Sequence, residues 1–120
     1  MDGERIAGII IMSLVSFGCG VLFFLIGVWA KKSKTPMHFY SGIKLDPNTI
    51  SDIPAYNREN SRLWKQYSLP YFLSGVLAVA SAFSEVLFTV STVLVIIAST
   101  LGIFWLIWHY QKIGNKYIVR

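Results

Sequence analysis

Charged side chains are scarce in this sequence of 120 residues. Asp, Glu, Lys and Arg make up 14% of it, against about 25% in a typical soluble domain. Hydrophobic residues make up 54%, and they occur in long blocks without the mixing of polar and apolar residues that a soluble core needs. This distribution argues against a soluble globular domain and predicts an integral membrane protein.

Cysteine and histidine are also nearly absent. Cys19 is the only cysteine, which excludes a disulfide within the chain and a cysteine metal cluster. His38 and His109 lie in different elements, and neither has cysteine or carboxylate neighbours at the spacing of metal ligands. The sequence also has no glycine-rich phosphate loop and no nucleophile elbow. We therefore predict no catalytic residues, no metal site and no cofactor.

The first apolar block, Ile6–Ala30, predicts a transmembrane helix. Its 25 residues suffice to cross a hydrocarbon core of about 30 Å at 1.5 Å per residue. The segment before it carries Asp2 and Glu4, and lysines follow it, which is a stop-transfer pattern. We interpret the block as a permanent span and not as a cleaved signal peptide.

The second apolar block, Tyr67–Trp108, is too long for one span and long enough for two. Polar residues interrupt it just before Glu85, where a helical hairpin needs its turn. We predict spans at about 67–82 and 86–110. The first of these is short and has Pro70 in its first turns, so we expect its helix to begin earlier, in the loop, and to bend at Pro70. The whole chain, 1–120, is then a single membrane domain.

The basic residues predict the orientation of this domain. Ten of the eleven lysines and arginines fall in the loop 31–66 or after residue 110, and only Arg5 lies on the other side. By the positive-inside rule, the loop and the C-terminus are cytoplasmic and the N-terminus is outside, in the plasma membrane. Basic residues that lie so close to the membrane favour anionic lipid headgroups as partners and argue against nucleic-acid binding.

The second half of the loop predicts one more helix. Ser51 or Asp52 can cap it, and from Ile53 to Tyr67 apolar residues recur near one face while charged residues lie mostly elsewhere. The expected fold is therefore all-α, with three transmembrane helices and a cytoplasmic amphipathic helix between spans one and two.

Two parts of the loop together form a candidate binding site. The segment Pro36–Gly42 is aromatic and apolar although it lies between lysines, and Tyr56, Asn60 and Trp64 follow one another at a spacing of four. These parts could close the floor of the bundle, or they could bind an anion such as a lipid phosphate. The candidate binding residues are His38, Tyr40, Gly42, Lys44, Tyr56, Asn57, Asn60 and Trp64.

Glu85 allows a different interpretation of the protein's function, as a small transporter. It could lie at the outer turn, where a carboxylate suits the start of a helix, or in the membrane as part of a transport pathway. Small residues recur along each predicted span, which favours close helix packing and leaves a homodimer or a membrane protein partner open.

The segments Met37–Gly42 and Ala55–Asn60, with Trp64, resemble small uncharacterised three-span proteins of Gram-positive bacteria, especially clostridia. More distantly, they are similar to the SdpI-type immunity proteins, although Ile43 and Lys44 stand here where that family has an arginine–threonine pair. The resemblance implies an immunity or toxin-sensing role.

We therefore expect a non-enzymatic membrane protein of the immunity, accessory or ligand-binding kind. A small homo-oligomeric transporter and a lipid-headgroup enzyme are the alternatives.

Overall fold

The computed structural model describes residues 2–34 and 50–117. These residues form three helices: α1 (Gly3–Lys32), α2 (Ile53–Ala80) and α3 (Glu85–Tyr117). The described residues contain no β-strand, so the expectation of an all-α fold is confirmed.

Side-chain caps explain where the first two helices begin. The carboxylate of Asp2 accepts a hydrogen bond from the backbone N–H of Arg5 at 2.7 Å. Asp52, one of the two predicted caps of α2, accepts a hydrogen bond from the backbone N–H of Ala55 at 3.1 Å, and Pro54 lies in the first turn. Each cap satisfies a backbone donor that the helix itself leaves unpaired.

The predicted amphipathic helix and the predicted second span are two halves of one helix. α2 runs from Ile53 to Ala80 and continues through Pro70, so the helix of the second span begins in the loop, as its short apolar part and Pro70 predict. The amphipathic helix is the first half of this helix and not a separate one. Proline removes only one hydrogen bond from the helix, and packing of both halves against the neighbouring helices offsets that loss. α1 and α3 also extend beyond the predicted spans, because helical structure continues past the apolar residues that hydropathy detects.

α2 is the central helix of the bundle. It packs along its length against both α1 and α3, which make few contacts with each other. Ser16 of α1 lies beside Ser74, and Ser33 after α1 lies beside Asn57, so α1 and α2 run antiparallel. α3 returns antiparallel to α2 after the short turn at 81–84.

The antiparallel order gives the bundle, which is 59 Å long, two different ends. We call one the turn end, because the start of α1 and the 81–84 turn lie there. We call the other the basic end, because the end of α1, the start of α2 and the end of α3 meet there. Seven described basic residues lie at or near the basic end: Lys31, Lys32, Lys34, Arg58, Arg62, Lys112 and Lys116.

Two of the helices are long and apolar enough to cross a membrane. Only 11% of the most apolar 18-residue window of α1, and 17% of that of α3, is buried inside the bundle. The core helix of a soluble protein would be mostly buried, whereas these helices expose their isoleucine, leucine, valine and phenylalanine side chains. Exposed apolar surface of this extent indicates contact with lipid or another apolar partner.

Serine side chains connect the three helices near the middle of the bundle. The hydroxyl of Ser74 lies 3.1 Å from that of Ser16 and 2.9 Å from that of Ser91, and the Ser91 hydroxyl donates to the Ser74 carbonyl at 2.8 Å. All three serines are fully buried. Small polar residues let helix backbones approach closely and bond across the contact, which is a common way to join helices in lipid.

Candidate ligand-binding site at the basic end

The candidate residues of α2 lie together at the basic end and are buried. Tyr56 and Asn57 are each 1% exposed, and Asn60 is fully buried. The Asn57 amide donates a hydrogen bond of 3.2 Å to the carbonyl of Ser33, which caps the end of α1. The Tyr56 hydroxyl donates to the hydroxyl of Tyr110 in α3 at 3.2 Å. Neighbouring residues of α2 therefore connect it to both other helices.

Asn60 and Trp64 continue this floor toward the middle of the bundle. The Asn60 amide donates to the carbonyl of Tyr56 at 3.0 Å, on its own helix. The Trp64 ring packs against Phe23 of α1 and Tyr67 of α2, with ring centroids 5.6 Å and 6.1 Å apart. These contacts bury the α2 part of the candidate site inside the bundle. Whether the complete site closes the floor or binds an anion stays a prediction.

The other four candidates, His38, Tyr40, Gly42 and Lys44, lie outside the described residues. Whether they meet the α2 residues therefore stays a prediction.

A polar pocket opens beside this floor, between α2 and α3. It has a volume of about 320 Å³, and we call it the headgroup pocket. α2 and α3 each contribute four lining residues: Glu59, Arg62, Leu63 and Gln66, and His109, Lys112, Ile113 and Lys116. Two lysines and an arginine face one carboxylate, so the pocket carries a net positive charge even with a neutral histidine.

One of these cations is already paired. The Lys116 ammonium donates to Glu59 Oε1 at 3.2 Å. Partial burial opposes ionisation of Glu59, but hydrogen bonds from Tyr117 and Lys116 and the charges of Lys116 and Arg62 outweigh it, so the pKa of its carboxyl is lowered. The hydrogen bond to Glu59 in turn raises the pKa of Lys116. The Lys112 ammonium lies 5.2 Å from the centroid of the Trp108 ring, and Arg62 is exposed at the pocket.

An apolar slot adjoins the headgroup pocket on the side of the middle of the bundle. It has a volume of about 370 Å³ and is lined by Gln66, Tyr67, Pro70, Leu94, Ile97, Ala98, Gly102 and Trp105. Gly102 leaves room there, because a Cβ at this position would lie 3.2 Å from the Tyr67 ring. Gln66 lines both the slot and the headgroup pocket, so the two form one seam between α2 and α3.

None of the residues that line this seam is among the candidate binding residues predicted from the sequence. Their charge is the one sequence feature that indicates an anion site here. Arg62 lies on the charged face of the α2 segment, and Lys112 and Lys116 follow the last span. Both groups lie on the predicted cytoplasmic side. Their closeness follows from the antiparallel packing of α2 and α3, which a residue pattern within either helix does not reveal.

Glu85 lies at the turn end, far from this seam. It is the first residue of α3, and its side chain is 83% exposed and 3.8 Å from Arg5. Arg5 also donates to the carbonyl of Ser81 at 2.6 Å, which connects the start of α1 to the α2–α3 turn. Among the described residues, no group of three His, Cys, Asp or Glu side chains could hold a metal ion.

Comparisons with other proteins identify no family: no family model and no curated protein matches the sequence, and no solved structure matches the fold. The resemblance to SdpI-type immunity proteins therefore stays a prediction.

Proposed function

We propose that this chain crosses a membrane three times and acts as a non-enzymatic protein that binds an anionic membrane ligand. The observation that supports this proposal is the headgroup pocket. Arg62 and Lys112 line this space of about 320 Å³, which lies at the basic end of a bundle with an apolar outer surface. Arginine and lysine form charge-assisted hydrogen bonds with phosphate oxygens, which makes a phosphate-bearing headgroup the ligand class that fits.

The third span in this proposal is the C-terminal half of α2. Its outward residues Leu69, Leu73, Val76 and Val79 are exposed and apolar, while its serines are buried against α1 and α3. This half is shorter than the roughly 20 residues of a full span, but it packs between two helices of membrane-crossing length, so its apolar outer face would lie at the depth of the hydrocarbon layer. Its N-terminal half, with the exposed Arg58 and Arg62, would stand at the headgroup level.

The orientation in this proposal rests on the positive-inside rule. It assigns the basic end to the cytoplasm and the turn end to the outside. A headgroup pocket at the cytoplasmic surface would face the leaflet that carries the anionic lipids. An immunity or accessory role, in which the bound ligand or a protein partner is sensed, agrees with such a site and with the resemblance of the Ala55–Asn60 segment.

Native mass spectrometry of the purified protein tests the binding. The protein is incubated with equal amounts of phosphatidylglycerol and phosphatidylcholine, which differ in headgroup charge. We expect the wild-type protein to retain one phosphatidylglycerol molecule. The fraction of protein with bound lipid should fall at least fivefold in Arg62→Gln and should be unchanged in Arg58→Gln. Arg58 is the matched control, because it is an exposed arginine one turn earlier on α2 that lines a different basic pocket, with Lys31 and Lys34.

Two results would overturn the proposal: equal retention of both lipids, or equal losses in both variants. A bound lipid whose mass changes with incubation time would instead indicate the lipid-headgroup enzyme.

A further inference from the structure

We propose that the ligand of the headgroup pocket is a phospholipid of the surrounding leaflet, with one acyl chain in the apolar slot and its phosphate at Arg62 and Lys112. This inference rests on the proposed function and narrows it. A soluble anion would use the pocket alone, whereas a phospholipid would use the whole seam.

The first argument is the continuity of the two spaces. Gln66 of α2 lines both. On α3, Trp105 lines the slot and His109 lines the pocket, and their ring centroids are 4.5 Å apart, so the two side chains form one uninterrupted wall. The two spaces therefore adjoin along the same faces of α2 and α3.

The second argument is the spacing of the charged and apolar parts along the helix axis. Tyr67 lies in the slot and Arg62 in the pocket, five residues apart on α2. At 1.5 Å per residue, this places the backbone of Arg62 about 8 Å from that of Tyr67 along the axis. That distance leaves space for the glycerol region, which separates the phosphate of a phospholipid from the start of its acyl chains.

The third argument is the direction in which the slot opens. Ile97 and Trp105 at its rim are exposed on the outer surface of the bundle, 47% and 38% respectively, so in a membrane the slot faces lipid. An acyl chain gains little free energy by moving from lipid into such a slot, because both surroundings are apolar. Shape in the slot and charge in the pocket would together select the lipid.

Filling the slot from its rim tests the inference. Ile97→Trp places a larger side chain into the slot, whereas Ile96→Trp changes a neighbouring exposed residue that does not line it. Each protein is incubated with phosphatidylglycerol, alone and with an equal concentration of soluble glycerophosphoglycerol. We expect wild type and Ile96→Trp to retain one lipid, Ile97→Trp to lose it at least fivefold, and the soluble headgroup not to displace it.

The pattern of results separates the two proposals. Retention in Ile97→Trp together with loss in Arg62→Gln, or displacement by the soluble headgroup, would overturn the acyl-chain inference and leave the binding of an anion intact. Retention in Arg62→Gln would overturn the proposed function itself.

Photo-crosslinking provides a second measurement that does not depend on a substitution. Phosphatidylglycerol with a diazirine in its acyl chain should label the segment 94–105 of the wild-type protein. Labelling spread evenly over α1 and α3 would contradict the inference.

Discussion

Polar residues at the basic end of α2 differ sharply in exposure although they are neighbours in the chain. Asn57 is buried and binds the end of α1, while Arg58 is exposed. Asn60 is fully buried, and its amide donates to the carbonyl of Tyr56 within α2. A buried amide needs a partner, and this amide finds one on its own helix.

Glu59 makes the edge of the headgroup pocket sensitive to pH. Its carboxylate has a lowered pKa, so the folded-state contact with Lys116 is present above the ordinary value of 4.5 and is lost as the pH falls through the lowered value. Lys116 has a raised pKa, so its contribution to the ion pair is fully present below pH 10.5 and is lost as the pH rises through the raised value. We expect hydrogen-exchange protection factors of amides 111–117 to fall between pH 7 and pH 3.

Lys116→Gln is the control for this pH effect. The variant lacks the ion pair, so its protection factors should already be low at pH 7 and should change less on acidification. An equal fall in both proteins would show that another group causes the loss.

At the level of the helices, small residues determine how closely α1 approaches α2. The sequence predicted small-residue stripes, and the structure buries Ser16, Gly20 and Gly27 of α1 against α2. These faces are used inside the bundle, so they do not supply a surface for a second subunit. A homodimer stays a prediction that would need the outer faces.

Gly27 and Gly18 form a matched pair for testing this packing. A Cβ at Gly27 would lie 2.9 Å from the backbone carbonyl oxygen of Ser61, whereas a Cβ at Gly18 would have no neighbour within 4 Å. We expect Gly27→Ala to lower the free energy of unfolding by about 1–3 kcal/mol, since the helices must separate. Gly18→Ala should raise it by about 0.5–1 kcal/mol, because alanine favours a helix interior over glycine.

Thermal unfolding in detergent, followed by circular dichroism, measures both changes. A stability of Gly27→Ala equal to that of the wild type would show that the α1–α2 contact relaxes without cost.

For the whole molecule, the number of membrane crossings depends on α2. If α2 crosses the membrane, Ser84 at the turn end and Lys34 at the basic end lie on opposite sides. If it does not, they lie on the same side.

Cysteine labelling in intact cells distinguishes these possibilities. In a Cys19→Ala background, an impermeant maleimide should label Ser84→Cys from outside and should label Lys34→Cys only after the cells are permeabilised. Labelling of both positions from the same side would contradict three spans, and the reverse pattern would contradict the orientation. Asn115→Cys should behave like Lys34→Cys.

The sequence by itself determined the helical class and the approximate position of each helix. Long apolar blocks and the Asp52 cap are local patterns, and helix formation depends mainly on such local patterns. The burial of Tyr56, Asn57 and Asn60 could be anticipated as a possible floor, because polar residues between aromatics at a spacing of four need partners.

Only the tertiary structure decided that the helix of the second span, which the sequence predicted to begin in the loop, includes the whole amphipathic segment from Ile53. It also decided that Arg62 meets Lys112 and Lys116 above an apolar slot. These residues lie about 50 positions apart in the chain, and they lie together because α2 and α3 pack antiparallel. Periodicity describes a face of one helix, whereas a pocket between two helices depends on which faces meet.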